Sequence, residues 1–548
     1  MNMDTYKFFY EVIILQQGKD LYNGKSPKNG KGASNMSTMM FPQKFRWGVS
    51  ESGFQFEMGD EYRRFIDTNT DWWHWVRDPH NISSRLVSGD LPEDGINYFE
   101  LFGKDHELAR ELGLNTYRLG IEWSRIFPHP TWFIEVDFEK DSLGFVKSVR
   151  IDEDTLRALD RYACRKAVQM YREILLDLRK RGFKVIVNLV HFTLPYWIHD
   201  PIRAKSSELS EGPLGLLEES FPIEMAKYAA YVAWKFGDLV DMWSTFNEPV
   251  VPIELGYLGT YTGFPPGVNK PQAVPKALVN TAIAHALAYD MIKKFDNVKA
   301  DPDSNSPAEV GLIYNIIPAY SPEGTKSEKA VEHYSYFHNE LLLEAVKNGR
   351  LDVALDGKNI LKPAALGGKL DWLGVNYYTR IVVKESSRRF NGHPVLDFEA
   401  VAGYGYACVP FGLSKIGRAC DGMGWEFYPE GLIDALRIGS TYASKLLVTE
   451  NGTSDPRDVI RPSYLVNHLY ALLLAIEEGI NVEGYLHWAL TDNYEWAHGF
   501  RQRFGLFEVD LITKSRIPRH SSRIYKHIIQ QGFIPSEYKK DIVEFRGI

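Results

Sequence analysis

The sequence predicts an α/β fold, a single (β/α)₈ TIM barrel with long insertions in its βα loops. Short apolar runs alternate with segments of 3.6-residue periodicity along the 548 residues, which favours a parallel sheet with helical crossovers. Eight such runs can be counted, the number that closes a barrel. Nearly every run ends in a polar or aromatic cluster, as expected where barrel strands deliver side chains to their carboxyl ends. Since no sequence repeat accompanies the units, a doubly wound open sheet is the alternative on pattern alone.

The eight predicted strands follow one another at intervals that leave room for a helix between them. Three of them directly follow amphipathic segments that end at Gly182, Gly237 and Gly479, as expected of a helix that feeds a strand. In chain order the predicted strands are 45–50, 116–121, 184–189, 242–246, 310–314, 372–376, 445–449 and 482–488. Polar stretches marked by Pro or Gly, at 129–150, 204–215, 300–307 and 384–403, are predicted surface insertions.

The domain boundary is expected near residue 40. Although a chain of this length often forms several domains, a barrel with insertions accounts for residues 41–548 as one unit. Residues 1–40 are expected to be a disordered N-terminal extension, or to precede a true start at Met36, Met39 or Met40. The apolar run near the N-terminus is short, contains Glu11 and lacks a small-residue cleavage site, which argues against a signal peptide.

Composition excludes several classes of partner. A net charge of −8 and a pI near 6.1 provide no basic surface for nucleic acid or for an anionic membrane. No apolar stretch reaches the roughly 18 residues needed to span a bilayer. The three cysteines, Cys164, Cys408 and Cys420, are widely spaced and odd in number, which predicts neither a disulfide framework nor a zinc site. A reducing, cytoplasmic location is expected.

Two glutamates stand at the ends of predicted strands. Glu248 follows the fourth strand in TFNEP, and Glu450 follows the seventh in TENG. Either glutamate alone is more often a solvated loop residue than a catalyst. Strands four and seven lie on roughly opposite sides of a barrel mouth, however, so the two carboxyl groups are expected to face one cavity.

These segments resemble those of glycoside hydrolase family 1, and the resemblance extends from about Phe41 to beyond Asp510. Further matches lie in GFQFE, YRLGIEWSRIFP, GVNYYT and HWALTDNYEW, at other strand ends. The stretch VSGDLPEDG most resembles the archaeal branch of the family, which implies a homo-oligomer, specifically a tetramer.

The resemblance implies a retaining β-glycosidase that works by double displacement. Glu450 would be the ionised nucleophile, held by Arg118 and Tyr378, and Glu248 the acid/base, with the carboxyl groups about 5 to 5.5 Å apart. Their surroundings should separate the two pKa values, so that one group is charged while the other carries a proton. No metal or organic cofactor is required.

The resemblance also implies a set of sugar ligands around the pair. Hydroxyl groups of the non-reducing sugar would bind Gln55, His191, Asn247 and Glu495. Trp488 would lie beneath the sugar ring with Trp496 nearby, because an apolar pyranose face packs well on an indole. Asn376 and Phe504 would support the site. The structural alternatives are that Trp488 only packs in the barrel, and that His191 is a core histidine whose hydrogen bonds are satisfied within the protein.

Three positions bear on the substrate class. Family members that act on 6-phosphorylated sugars resemble one another in carrying Ser, Lys and Tyr where this chain has Glu495, Gln502 and Phe504. A carboxylate would repel a phosphate dianion, so unphosphorylated β-D-glucosides, β-D-galactosides or related sugars are expected. Phe192 replaces the family's usual Trp and removes one indole donor, which puts the contact to the 3-hydroxyl in doubt.

Three competing functions can be weighed, and the presence of both Glu248 and Glu450 argues against the first two. A non-catalytic, klotho-like sugar-binding barrel would be expected to lack one of the two glutamates, and a thioglucosidase to carry Gln in place of Glu248. A transglycosidase would use the same covalent intermediate with a sugar acceptor, and the sequence leaves that alternative open.

Overall fold

The computed structural model describes residues 39–304, 306–386 and 394–545. The predicted N-terminal extension, apart from its last two residues, lies outside this part of the chain, and so does the middle of the insertion predicted at 384–403. None of the helices in the described ranges is both long and apolar enough to cross a membrane.

Eight parallel strands close into a barrel, and neighbours in the barrel are neighbours in the sequence. They are β1 (Arg46–Ser50), β2 (Thr116–Gly120), β3 (Lys184–Val190), β4 (Met242–Asn247), β5 (Glu309–Asn315), β6 (Trp372–Asn376), β7 (Leu446–Glu450) and β8 (Val482–His487). The predicted (β/α)₈ fold is confirmed, and all eight predicted strands agree with the observed ones to within one or two residues at their ends.

One principal helix follows each strand. These helices are α1 (Tyr98–Glu111), α2 (Arg165–Lys180), α3 (Phe221–Phe236), α4 (Val274–Phe295), α5 (Leu341–Asn348), α6 (Gly431–Ser440), α7 (Arg461–Glu477) and α8 (His520–Gln531). Additional α-helices lie at Gly53–Phe56, Asp71–Arg77, Pro79–Ser83, Trp123–Ile126, Glu153–Tyr162, Pro201–Ser206, Val251–Tyr257, Glu328–Tyr334 and Ser536–Lys539, with a π-helical turn at Ser335–Glu340. Single 3₁₀ turns lie at Pro92–Asp94, Gly215–Leu217, Gly237–Leu239, Pro271–Ala273, Pro394–Leu396, Gly405–Ala407 and Trp496–His498.

The long insertions lie mainly in the strand-to-helix connections. An antiparallel hairpin, Asp137–Lys140 with Val146–Arg150, follows β2, and Phe507–Val509 pairs with Arg516–Pro518 after β8. Connections after β5 and β6 share a small sheet made of Ala319–Tyr320, Ile381–Glu385 and Phe398–Ala400. Leu351–Asp352 pairs with Ile360–Leu361 in a further short ladder. The insertion predicted at 300–307 instead joins α4 to β5, so it lies at the opposite end of the barrel from the other three.

Apolar side chains fill the barrel interior. Ile186, Met242, Ile313, Trp372, Leu447 and Leu486 form one buried cluster contributed by six different strands. Gly311 makes room for the largest member, because a Cβ there would lie 2.5 Å from the Trp372 side chain. The interior at this level is therefore a packed core.

Candidate active site

The ends of β4 and β7 bring the two predicted glutamates to the barrel mouth. Glu248 follows β4, where the pairing register with β5 gains one residue between Ser244 and Asn247. Its backbone has a φ of 47°, and its N–H donates to the Ile313 carbonyl at 2.8 Å. A non-glycine residue in the left-handed region is uncommon and concentrates at functional sites. The extra residue and the turn redirect the Glu248 side chain to the mouth.

Glu450 is buried and held through both of its carboxyl oxygens. Arg118 Nη1 donates to Oε1, and Tyr378 Oη donates to Oε2 at 2.6 Å. Arg118 is fully buried on β2, and its Nη2 also donates to Asn247 Oδ1 at 2.8 Å. A carboxylate with a donor on each oxygen has a fixed orientation, which a nucleophile requires.

Glu248 has one neutral partner and lies close to a negative charge. Asn376 Nδ2 donates to Glu248 Oε1 at 2.7 Å, while Thr449 Oγ1 donates to Asn376 Oδ1 at 2.8 Å and fixes the amide. Burial, and next the charge of Glu450, raise the pKa of Glu248 above its ordinary value. At neutral pH this favours a protonated Glu248, the form that a general acid needs.

Aromatic and polar side chains line the cavity beside the carboxyl pair. The His191 ring lies nearly parallel to both Trp488 and Trp496, with centroids 5.8 Å away in each case. Burial and the Arg118 charge lower the pKa of His191 well below its usual range, so the ring is neutral. Gln55 Nε2 donates to Glu495 Oε2 at 3.3 Å. Burial and then Glu450 raise the pKa of Glu495 to about 8.

A cavity of about 650 Å³ opens at this end of the barrel. Nine of the twelve predicted site residues line it: His191, Asn247, Glu248, Tyr378, Glu450, Trp488, Glu495, Trp496 and Phe504. The other three, Gln55, Arg118 and Asn376, lie behind the lining and donate hydrogen bonds to residues that belong to it. Phe192 also lines the cavity and packs on Trp496 at 5.1 Å.

Sequence reasoning missed the outer half of the cavity, which is mostly apolar and aromatic. Its lining comes from connections after β4, β5 and β6, and includes Leu255, Ile317, Tyr334, Phe398, Tyr406 and Trp425. Glu254 and His338 are polar members of this lining, and Glu254 Oε1 lies 2.9 Å from His338 Nδ1. These connections have no periodicity that would mark individual residues as lining a cavity.

Comparison with known proteins finds a glycosidase family and individual glycosidases. A model of glycosyl hydrolase family 1 matches residues 37–135 and 161–533. A β-galactosidase from Pyrococcus woesei is 54% identical over 509 residues, which are 92% of this chain and 100% of that protein.

Solved structures agree. The β-glycosidase from the hyperthermophile Thermosphaera aggregans is 43% identical with a TM-score of 0.84, covering 92% of this chain and 100% of that one. A β-glucosidase mutant derived from a hyperthermophilic tetrameric structure is 42% identical with a TM-score of 0.79, covering 92% and 98%.

Proposed function

The chain belongs to glycosyl hydrolase family 1 and is a retaining β-glycosidase, and on that premise we propose that Glu450 is its nucleophile and Glu248 its acid/base. The observation that carries the proposal is the unequal environment of the two carboxyl groups. Glu450 is clamped by a guanidinium and a phenol, while Glu248 is buried against a neutral amide. Such a difference assigns one carboxyl to attack and the other to proton transfer.

In the first step, a Glu450 oxygen bonds to the anomeric carbon as the bond from that carbon to the glycosidic oxygen breaks. Glu248 gives its proton to the departing oxygen, so the aglycone leaves as a neutral alcohol. In the second step a water molecule bonds to the anomeric carbon while its proton passes to Glu248. Glu450 leaves as a carboxylate, and the sugar is released with its β configuration retained.

The loss of charge at Glu450 couples the two steps. While Glu450 is ionised, its charge helps to raise the pKa of Glu248 and keeps the proton there. Once Glu450 is an ester, that contribution disappears, and the pKa of Glu248 falls. Glu248 then gives up its proton more readily and can act as the base toward water.

The substrate that this site supports is an unphosphorylated β-D-glucoside, β-D-galactoside or related sugar, removed from a non-reducing end. Glu495 and Asn247 offer polar atoms to hydroxyl groups, and Trp488 offers an apolar face. Neither Gln502 nor Phe504 supplies a positive charge for a phosphate, and the P. woesei relative is a β-galactosidase. A transglycosidase shares the first step, and product partition with an added alcohol acceptor distinguishes it.

The roles are tested with aryl β-D-gluco-, galacto-, manno-, fuco- and xylosides on the wild type and on Glu450→Gly. We expect the variant to lose hydrolysis by several orders of magnitude and to regain part of it with azide or formate, which occupy the space of the deleted carboxylate. Glu254→Ala is the matched control, since Glu254 lines the same cavity with no assigned chemistry, and it should keep turnover within about tenfold of wild type. Full activity in Glu450→Gly would overturn the assignment, and binding without turnover in the wild type would indicate a non-catalytic barrel.

Assembly and location follow as finer proposals. A tetramer is supported by the likeness to a β-glucosidase derived from a tetrameric structure, and light scattering should then give four times the chain mass of 62.7 kDa. A reducing, cytoplasmic location is supported by three free cysteines, and cell fractionation tests it.

A further inference from the structure

We propose that Glu122 is a positioning residue for the sugar half of the cavity. Its carboxyl group joins the connection after β1 to the connection after β3, and so sets the relative placement of Gln55 and His191. The inference rests on the proposed function, because it assigns these two connections to the binding of the sugar. Glu122 itself does not line the cavity, so it acts through other residues.

Glu122 is 4% exposed, and its carboxyl group has a different partner on each oxygen. Oε1 accepts from the backbone N–H of Phe54 at 2.9 Å, and Oε2 accepts from Thr193 Oγ1 at 2.6 Å. The partners are 139 residues apart in the sequence (193 − 54), so the tertiary fold alone brings them together. Gly53 permits the approach, since a Cβ there would lie 2.4 Å from the Glu122 side chain.

Each partner is adjacent to residues of the site. The Phe54 ring stacks on Trp496 with an interplanar angle of 7°, and the next residue, Gln55, donates to Glu495. On the other connection, Thr193 follows His191 and Phe192, and the Phe192 ring packs against Trp496 with an interplanar angle of 62°. One carboxyl group therefore connects the two segments that flank the same indole.

The surroundings of Glu122 indicate a role in joining segments and not in neutralising charge. The nearby cation, Arg125, donates to another buried carboxylate of this region, Glu57, at 2.5 Å. Tyr171 also donates to Glu57, at 2.6 Å, and accepts from the backbone N–H of Glu122. Both donors to the Glu122 side chain are neutral groups. A side-chain amide in place of the carboxyl group could therefore bond to both of them.

The test compares Glu122→Gln with Glu122→Ala. Glutamine keeps both hydrogen bonds, because its carbonyl accepts from the Phe54 N–H and its NH₂ donates to the Thr193 hydroxyl. Alanine removes both. The probe is glucoimidazole, a glucose-shaped inhibitor without an aglycone, and its inhibition constant is measured together with kcat/KM for an aryl glucoside. A misplacement near 1 Å can cost about 100-fold in enzymatic rate. We therefore expect Glu122→Ala to lower kcat/KM and to weaken inhibition by roughly 10- to 100-fold, and Glu122→Gln to change either by less than about threefold.

Asp105→Asn is the matched control for lost stability. Asp105 is fully buried and makes a two-bond ion pair with Arg516, at 2.7 Å for each bond, away from the cavity. The substitution Asp105→Asn should lower the melting temperature and leave inhibition by glucoimidazole unchanged. If Glu122→Ala fails to fold, Thr193→Val removes only one of the two joins and should weaken inhibition several-fold.

The outcomes separate this inference from the proposed function. An unchanged inhibition constant in Glu122→Ala or Thr193→Val, with only the melting temperature lowered, would show a purely structural role. A Glu122→Gln variant as impaired as Glu122→Ala would overturn the joining role in favour of a need for charge. Absence of aryl glucoside hydrolysis by the wild type would instead overturn the proposed function itself.

Discussion

Tyr378→Phe is predicted to slow release of the sugar from the enzyme more than its capture. The phenol donates to Glu450 Oε2 at 2.6 Å, a distance typical of a charge-assisted O–H···O⁻ bond. Such a bond is strong while Glu450 is an anion and weaker once it is an ester. Because the second step regenerates the anion, its transition state gains from the Tyr378 hydroxyl as charge returns to Glu450.

The magnitude follows from the kind of bond. Hydrogen bonds to charged groups contribute about 1.5–3 kcal/mol, and each 1.36 kcal/mol changes a rate tenfold. Loss of the hydroxyl should therefore lower the rate of the second step by about 10- to 150-fold. In the first step Glu450 loses its charge, so the bond to Tyr378 weakens toward the transition state and does not accelerate that step.

Stopped-flow measurement with 2,4-dinitrophenyl β-D-glucoside tests this reasoning. Since this leaving group departs easily, the variant should release about one equivalent of dinitrophenol in a burst and then turn over slowly. Tyr377→Phe is the control, because the neighbouring hydroxyl donates to the Tyr428 carbonyl at 2.5 Å and does not contact Glu450. A Tyr378→Phe enzyme with a normal steady-state rate, or with a slow rate and no burst, would refute the reasoning.

Three further predictions concern proton transfer and the aglycone. Glu248→Gln should lower kcat/KM for alkyl glucosides by about 10²- to 10⁴-fold, because an alkoxide leaving group needs the proton of Glu248. A 2,4-dinitrophenyl glucoside does not need that proton and should lose much less, and equal losses for both substrates would contradict this prediction. Burial and the Glu450 charge raise the pKa of Glu248, so kcat/KM of the wild type should persist at neutral pH and fall only as pH rises through that raised pKa. A decline of kcat/KM centred at pH 4.5 would contradict this prediction. Finally, the apolar outer half of the cavity should raise kcat/KM along a series of n-alkyl β-glucosides. Each buried CH₂ contributes about 0.8 kcal/mol, which is up to about fourfold in kcat/KM per methylene. A kcat/KM that does not change with chain length would argue against aglycone binding there.

The barrel was predictable because its strands are buried on both faces. The strand β3 is apolar at five of its seven positions and buried along nearly its whole length, and such runs alternate with helices in a countable order. The placement of Glu248 and Glu450 at one mouth followed from the same geometry, since all parallel strands end at the same face. Neither inference required knowledge of how the loops fold.

The depth of each residue within the site was not predictable. Gln55 belongs to a recognisable segment, yet it is buried in the helical turn Gly53–Phe56 and donates to Glu495, a contact that no local pattern indicates. Glu122 ends the predicted strand region like other polar residues, and only the tertiary structure reveals its two partners. Tyr334 and Trp425 come from irregular connections, whose paths depend on packing between distant segments.

The assignment of Glu450 is tested most directly by trapping the intermediate. Incubation with 2,4-dinitrophenyl 2-deoxy-2-fluoro-β-D-glucoside, which slows the second step, should inactivate the enzyme and add one fluorosugar to each chain. Peptide mapping by mass spectrometry should then place that sugar on Glu450. A label on Glu248 or Glu495, or sustained turnover of ordinary substrates by enzyme labelled at Glu450, would contradict the account.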